Sequence, residues 1–278
     1  MKQAEIEKHL GAQLNVPSLP KVIERIRDLL GGPGASMVEV GRAVAQDPPL
    51  TARLLRSVNS PHYGLAEPIL SPEHAASVAG FRGLENLLLR APVFSGPISL
   101  GLGRFDVRTL WRHSILTARV AAELTRVAAG ANGLEPDDMH VCGLLADIGH
   151  FVMFDRMGEA WVDVYERAEA EDVGIDVLER EVFGFTHNDL GAMMAKRWAL
   201  PETIVRATRF HDNENGLAEL DALPAIVLVA DRIVHCIERG SWKSFQDRTP
   251  AACLERLDVE PTELEALGAR AAETKIVL

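Results

Sequence analysis

Apolar residues recur three and four positions apart along most of this 278-residue chain, the spacing that lines one face of an α-helix. Val22, Ile23, Ile26, Leu29 and Leu30 form the first such stripe, which Gly31-Gly32 ends. Ser36 followed by Glu39 has capping-box spacing, and Asp47-Pro48 and Ser71-Pro72 each set a capping side chain before a proline suited to a first helical turn. These predict three more helix starts. Further on, the pattern predicts helices over 107–129, 136–148, 158–170, 176–183, 186–198, 201–211, 224–239 and 261–272. No stretch alternates with period two for long and aromatic residues make up 5% of the chain, so the fold class expected is all-α.

Between Ser95 and Gly103 the sequence Ser-Gly-Pro-Ile-Ser-Leu-Gly-Leu-Gly interrupts the helical pattern. Its Gly-x-Gly lacks a third spaced glycine and a preceding strand, which favours a flexible joint over a phosphate cradle. The expected division is therefore 1–100, an N-terminal helical part, and 101–278, a helical bundle with C-terminal helices. At Asn59 to Gly64, Ser60-Pro61 should end a helix, Gly64 should allow a positive-φ turn, and Tyr63 should anchor that turn with a buried, hydrogen-bonded hydroxyl.

Charge narrows the partners. The net charge is −11, and residues 101–278 hold all the acidic excess. An acidic body repels phosphate backbones, so no nucleic-acid partner is expected. No apolar run approaches a membrane span, the N-terminus is too polar for a signal peptide, and three widely spaced cysteines make no disulfide framework. A cytoplasmic location is the expectation, with no membrane partner.

The chemistry lies in polar residues set within apolar helical runs. Asp147 stands in Gly-Leu-Leu-Ala-Asp-Ile-Gly and Asp231 in Val-Leu-Val-Ala-Asp-Arg-Ile-Val. A buried carboxylate needs a cation, a metal or several donors. His113 sits mid-helix, His187 follows the expected cap Thr186, and His211 ends its helix. Imidazole and carboxylate are ligand types for zinc, iron or manganese. On a continuous helix Cys142 falls about 140° from Asp147, and Cys236 as far from Asp231, so both read as packing residues. His235 shares the face of Asp231 but reads as a helix-end residue, and His150 reads as surface or structural.

These residues resemble the HD-related output domains, the HDOD family of bacterial signalling proteins. Leu19-Pro20, then Asp47-Pro48-Pro49-Leu50, Arg53-Leu54-Leu55 and Asn59-Ser60-Pro61-His62-Tyr63-Gly64, look like its N-terminal signature. The second part resembles HD-type metal phosphohydrolases: His113 matches the first histidine, Asp147 the aspartate of the His-Asp pair, and Asp231 the final aspartate. His187 and His211 match the extra histidines shared with cyclic-di-GMP phosphodiesterases of the HD-GYP type. The sequence departs from that pattern at Ala146, where the pair has its histidine, at His150, where a lysine is frequent, and at Asp212, where a second histidine is frequent.

The resemblance implies an N-terminal helical subdomain packed on an HD-like bundle. It implies a non-catalytic regulatory module that works by binding other signalling proteins or a small-molecule ligand, or as a homo-oligomer. The metal set His113, Asp147, His187, His211 and Asp231 would be vestigial or weak, since Ala146 replaces a ligand. No cofactor is expected beyond a weakly held zinc, iron or manganese ion. The alternative is a metal-dependent phosphodiesterase acting on a cyclic dinucleotide, with Asp212 or His150 standing in for the missing ligand.

Overall fold

Ser36, Asp47 and Ser71 each cap a helix, accepting the backbone N–H of Glu39, Leu50 and His74 respectively. The computed structural model describes residues 16–92, 101–102, 105–212, 221–240, 242, 245, 249–274 and 276. The first part holds α1 (Pro20–Gly31), α2 (Met37–Val44), α3 (Pro48–Val58) and α4 (Pro72–Arg90), with a 3-10 turn at Pro61–Tyr63. α4 is broken at Gly80, where φ is 62°. Most of the predicted joint lies outside the described residues. What is described there includes a small antiparallel hairpin of β1 (Gly101–Leu102) and β2 (Phe105–Asp106).

The second part holds α5 (Arg108–Val127), α6 (Pro136–Leu145), α7 (Ile148–Met157), α8 (Glu159–Glu171), α9 (Ile175–Phe183), α10 (His187–Arg197), α11 (Glu202–Phe210), α12 (Ala222–Arg239), α13 (Ala251–Leu257) and α14 (Pro261–Ala272). Among the described residues the fold is all-α apart from that hairpin. One apolar cluster runs from Ile23 and Leu55 through Trp111 and Phe151 to Val229 and Leu267, so both parts share a core. Among the described residues no helix is long and apolar enough to cross a membrane.

Two features tie this core to the chemistry. The fully buried carboxylate of Asp47 accepts from Ser18 Oγ (3.0 Å), Leu19 N (3.1 Å), Leu50 N (2.8 Å) and, across the joint, Trp111 Nε1 (3.1 Å). Trp111 packs edge-on against Phe151, with ring centroids 4.6 Å apart. The second feature is the crossing of α7 and α10. A Cβ on Gly149 would stand 2.0 Å from the His187 carbonyl oxygen, so only glycine lets these helix starts meet.

The structure corrects three local expectations. The helix predicted over 136–148 stops at Leu145 and restarts at Ile148, so Asp147 lies at a junction with φ −89° and ψ 16°, and the angular argument about Cys142 does not apply. All three cysteines are free and buried. Gly64 takes the positive φ expected, 60°. Tyr63, however, is half-buried, with no hydrogen-bond partner for its hydroxyl among the described residues. It anchors by packing over Gly83, where a Cβ would come within 3.3 Å of the hydroxyl.

Candidate metal centre

The break between α6 and α7 turns Asp147 into a cleft instead of onto its own helix: its carboxylate makes no capping bond. Oδ1 lies 2.9 Å from His211 Nε2, and Oδ2 lies 3.4 Å from His113 Nε2. His113, from the middle of α5, also places Nε2 2.8 Å from Asp231 Oδ1 on α12. Three helices and one junction thus bring His113, Asp147, Asp231 and His211 to one point. His187, at the start of α10, stands beyond it: its ring stacks on His150 with centroids 3.7 Å apart, and His150 Nε2 is 3.7 Å from Asp147 Oδ1.

Each main histidine has its outer nitrogen engaged. His113 Nδ1–H donates to Glu238 Oε2 (2.9 Å), His187 Nδ1–H to Glu179 Oε2 (2.7 Å), and His211 Nδ1–H to the Thr208 carbonyl (3.1 Å). Each therefore presents Nε2 inward, toward Asp231 and Asp147, Asp212, and Asp147 respectively. Outer acceptors that fix ring orientation in this way accompany metal-ligating histidines. Glu179 is itself held, since it accepts from Trp161 Nε1 (3.2 Å) and the His187 backbone N–H (2.8 Å). Trp161 belongs to an aromatic cluster with Phe105 and Tyr165 behind the cleft.

Protons balance the carboxylates in this network. Burial opposes a charge on His113, but Glu238 and Asp231 raise its pKa well above 6.5. Burial likewise opposes charge on His187, which Glu179 and Asp212 raise well above 6.5, and on His211, which Asp147 raises. Conversely, Asp147 and Glu179 are desolvated yet driven down by their histidines, and Asp212 is driven down by Arg232. His150 goes the other way: burial and the neighbouring His187 charge depress it.

The residues fit a divalent ion. Asp147 Oδ2, His187 Nε2 and Asp231 Oδ2 are buried without hydrogen-bond partners among the described residues. Ligand atoms at ~2.1 Å from a tetrahedral ion stand about 3.4 Å apart. The separations His113 Nε2 to Asp147 Oδ2 (3.4 Å) and His187 Nε2 to Asp212 Oδ2 (3.5 Å) are such edges. Overlapping sets of candidate ligands surround Asp147 and His187: His113 with Asp147 and Asp231, Asp147 with His150 and His187, and His187 with His211 and Asp212. Ala146 is fully buried in the apolar core.

All five residues singled out in the sequence fall in this network. His150 and His235 belong to it too, against expectation: His150 is 8% exposed between Asp147 and Glu179, and His235 Nε2 is 3.6 Å from Asp231 Oδ2. Glu179, Glu238 and Arg232, which pairs with Asp212 at 3.0 Å, carried no site assignment. Glu238 had a detectable signal, seven residues after Asp231 on the same helical face. Glu179 had none.

The cleft above the centre opens between α8 and α12 past Tyr165, Glu169 and Arg239. Fold and site together define an all-helical, HD-like protein. The HDOD domain matches residues 16–214, and the chain belongs to that family. It is 29% identical over 205 residues to an uncharacterized protein of Treponema pallidum (strain Nichols), a match covering 72% of this chain and 38% of that protein, so the chain spans well under half of that relative's length. Its fold is similar to that of the MmoQ response regulator from Methylococcus capsulatus strain Bath, with TM-score 0.69 and 21% identity over 91% of this chain and 98% of that one. It is also similar to an HDOD domain protein of unknown function from Geobacter sulfurreducens, with TM-score 0.55 and 24% identity over 99% and 98%.

Proposed function

We propose that the chain is a signal-transduction module that acts by binding other signalling proteins, and that its Asp147-centred network holds a divalent metal ion as an internal pin. The observation that carries a binding role over phosphoester hydrolysis is that both arginines of the cleft are paired with carboxylates. Asp147, Glu169, Asp176, Asp212 and Glu238 line it, against Arg232 and Arg239. Both arginines are already engaged, Arg232 by Asp212 and Arg239 by Glu169 and Asp172. A phosphodiester entering this cleft finds both arginine clamps already engaged. The response-regulator name of a structural relative agrees with a signalling role.

The ion would be held by His113, Asp147 and Asp231, with His211 and His150 beside them, and would supply charge that cross-links α5, α11 and α12. This chain's own residues do the positioning: Glu238, Glu179 and the Thr208 carbonyl hold the rings, and the apolar wall at Ala146 keeps water from that side.

Protein purified without chelator should carry zinc, iron or manganese by elemental analysis. It should show no hydrolysis of cyclic-di-GMP with any of the three added. Robust metal-dependent turnover, lost in Asp147→Ala, would overturn the binding role in favour of a phosphodiesterase.

A further inference from the structure

We propose that the mouth of the cleft carries a second divalent-metal position, built by His235, Glu238 and the outer edge of His113. It deepens the reading above and rests on it in one respect, that His113 and Asp231 border both positions. One ligand atom each from His113, His235 and Glu238 lies within 4.8 Å of the other two. Asp231, His235 and Glu238 follow one another by four and three residues on α12, which sets all three on one helical face. The His113 and His235 rings converge from different helices, with centroids 4.7 Å apart and planes tilted by 45°.

A buried acceptor without a hydrogen-bond partner lies between this position and the inner centre, within reach of either. Asp231 is 1% exposed, yet its Oδ2 has no hydrogen-bond partner among the described residues and faces His235 Nε2 at 3.6 Å. That gap is long for a hydrogen bond and close to the edge of a tetrahedral coordination sphere, about 3.4 Å. Access differs from the inner centre. The His235 and Glu238 side chains are 38% and 22% exposed, and both border the open space of the cleft.

Two imidazoles and a carboxylate with a solvent-facing fourth position make an open site of the zinc class, which also takes cobalt(II). With the inner ion on His113 Nε2, an ion on Nδ1 displaces the proton that the ring donates to Glu238 and leaves the ring bridging the two ions as an imidazolate, so the second ion should load more weakly.

Cobalt(II) alone, titrated into the full chain and followed by its visible absorption and by equilibrium dialysis, tests the assignment. Two equivalents are expected, the second weaker. His235→Ala, at a partly exposed position, should weaken one of them by at least about tenfold and spare the other. Glu238→Gln, which keeps the side-chain size, should weaken the mouth position too, and should also loosen the inner one because Glu238 orients the His113 ring. Asp147→Asn with His211→Gln should remove the inner equivalent and leave the mouth position. The proposal fails if both equivalents survive His235→Ala and Glu238→Gln, or if the wild type takes up one ion that only the Asp147 and His211 substitutions abolish. Loss of one equivalent in His235→Ala, with none lost on altering Asp147 and His211, would keep the mouth position and refute the inner centre instead.

Discussion

Asp47 survives without solvent because four donors converge on it, two for each carboxylate oxygen. Arg53 adds a cation nearby and donates to the Val16 carbonyl, tying the entry of the chain to α3. Removing the carboxylate strands the Trp111 indole N–H and two backbone N–H groups in an apolar interior. Asp47→Ala should therefore lower stability by about 3 kcal/mol or more, read as a shift in the urea midpoint. Ala146 makes the opposite point, since nothing there is missing that packing could accept. Ala146→His should destabilise by about 1–3 kcal/mol through overpacking, measured the same way. An unchanged midpoint would mean the core at Ala146 has room for a ligand.

At the scale of elements, the crossing of α7 and α10 decides where His150 and His187 stand. Gly149 meets the His187 carbonyl, and Gly191 meets Thr208 from the other side, where a Cβ would come within 2.5 Å of its methyl group. Gly149→Ala should force the helix starts apart, cost about 1–3 kcal/mol in denaturant unfolding and weaken metal uptake, as equilibrium dialysis would show. What the sequence revealed follows from range. Caps and apolar stripes are local, so α1 to α6 were legible to within a few residues, and polar residues inside apolar runs exposed the five candidate ligands. α7 was not legible because Ile148 to Phe154 are all buried, leaving no amphipathic stripe, and because Asp147 gives its carboxylate to His211 instead of capping the helix. Glu179 escaped notice because a glutamate on a short amphipathic helix reads as solvated until Trp161 and His187 are seen to enclose it.

For the whole molecule the network sets a pH window. His113, His187 and His211 have raised pKa values in the fold, so their contribution is complete below the ordinary histidine value of 6.5 and is lost as pH rises through the raised ones. Asp147 and Glu179 are depressed, so theirs is complete above the ordinary 3.8 and 4.5 and is lost as pH falls through the depressed values. The thermal midpoint in chelator should therefore be highest between pH 4.5 and 6.5, fall as pH rises through neutral and alkaline values, and fall again on the acidic side. His187→Gln should flatten the alkaline fall, and an unaltered alkaline limb would show that His187 does not carry it. The hydrogen bond between Asp47 and Trp111 extends this unity from energetics to inheritance. Residues 64 positions apart share one buried bond, so neither can drift alone: a lineage that loses the carboxylate should also have lost the indole N–H, and the two halves should be passed on together rather than exchanged between proteins as separate parts.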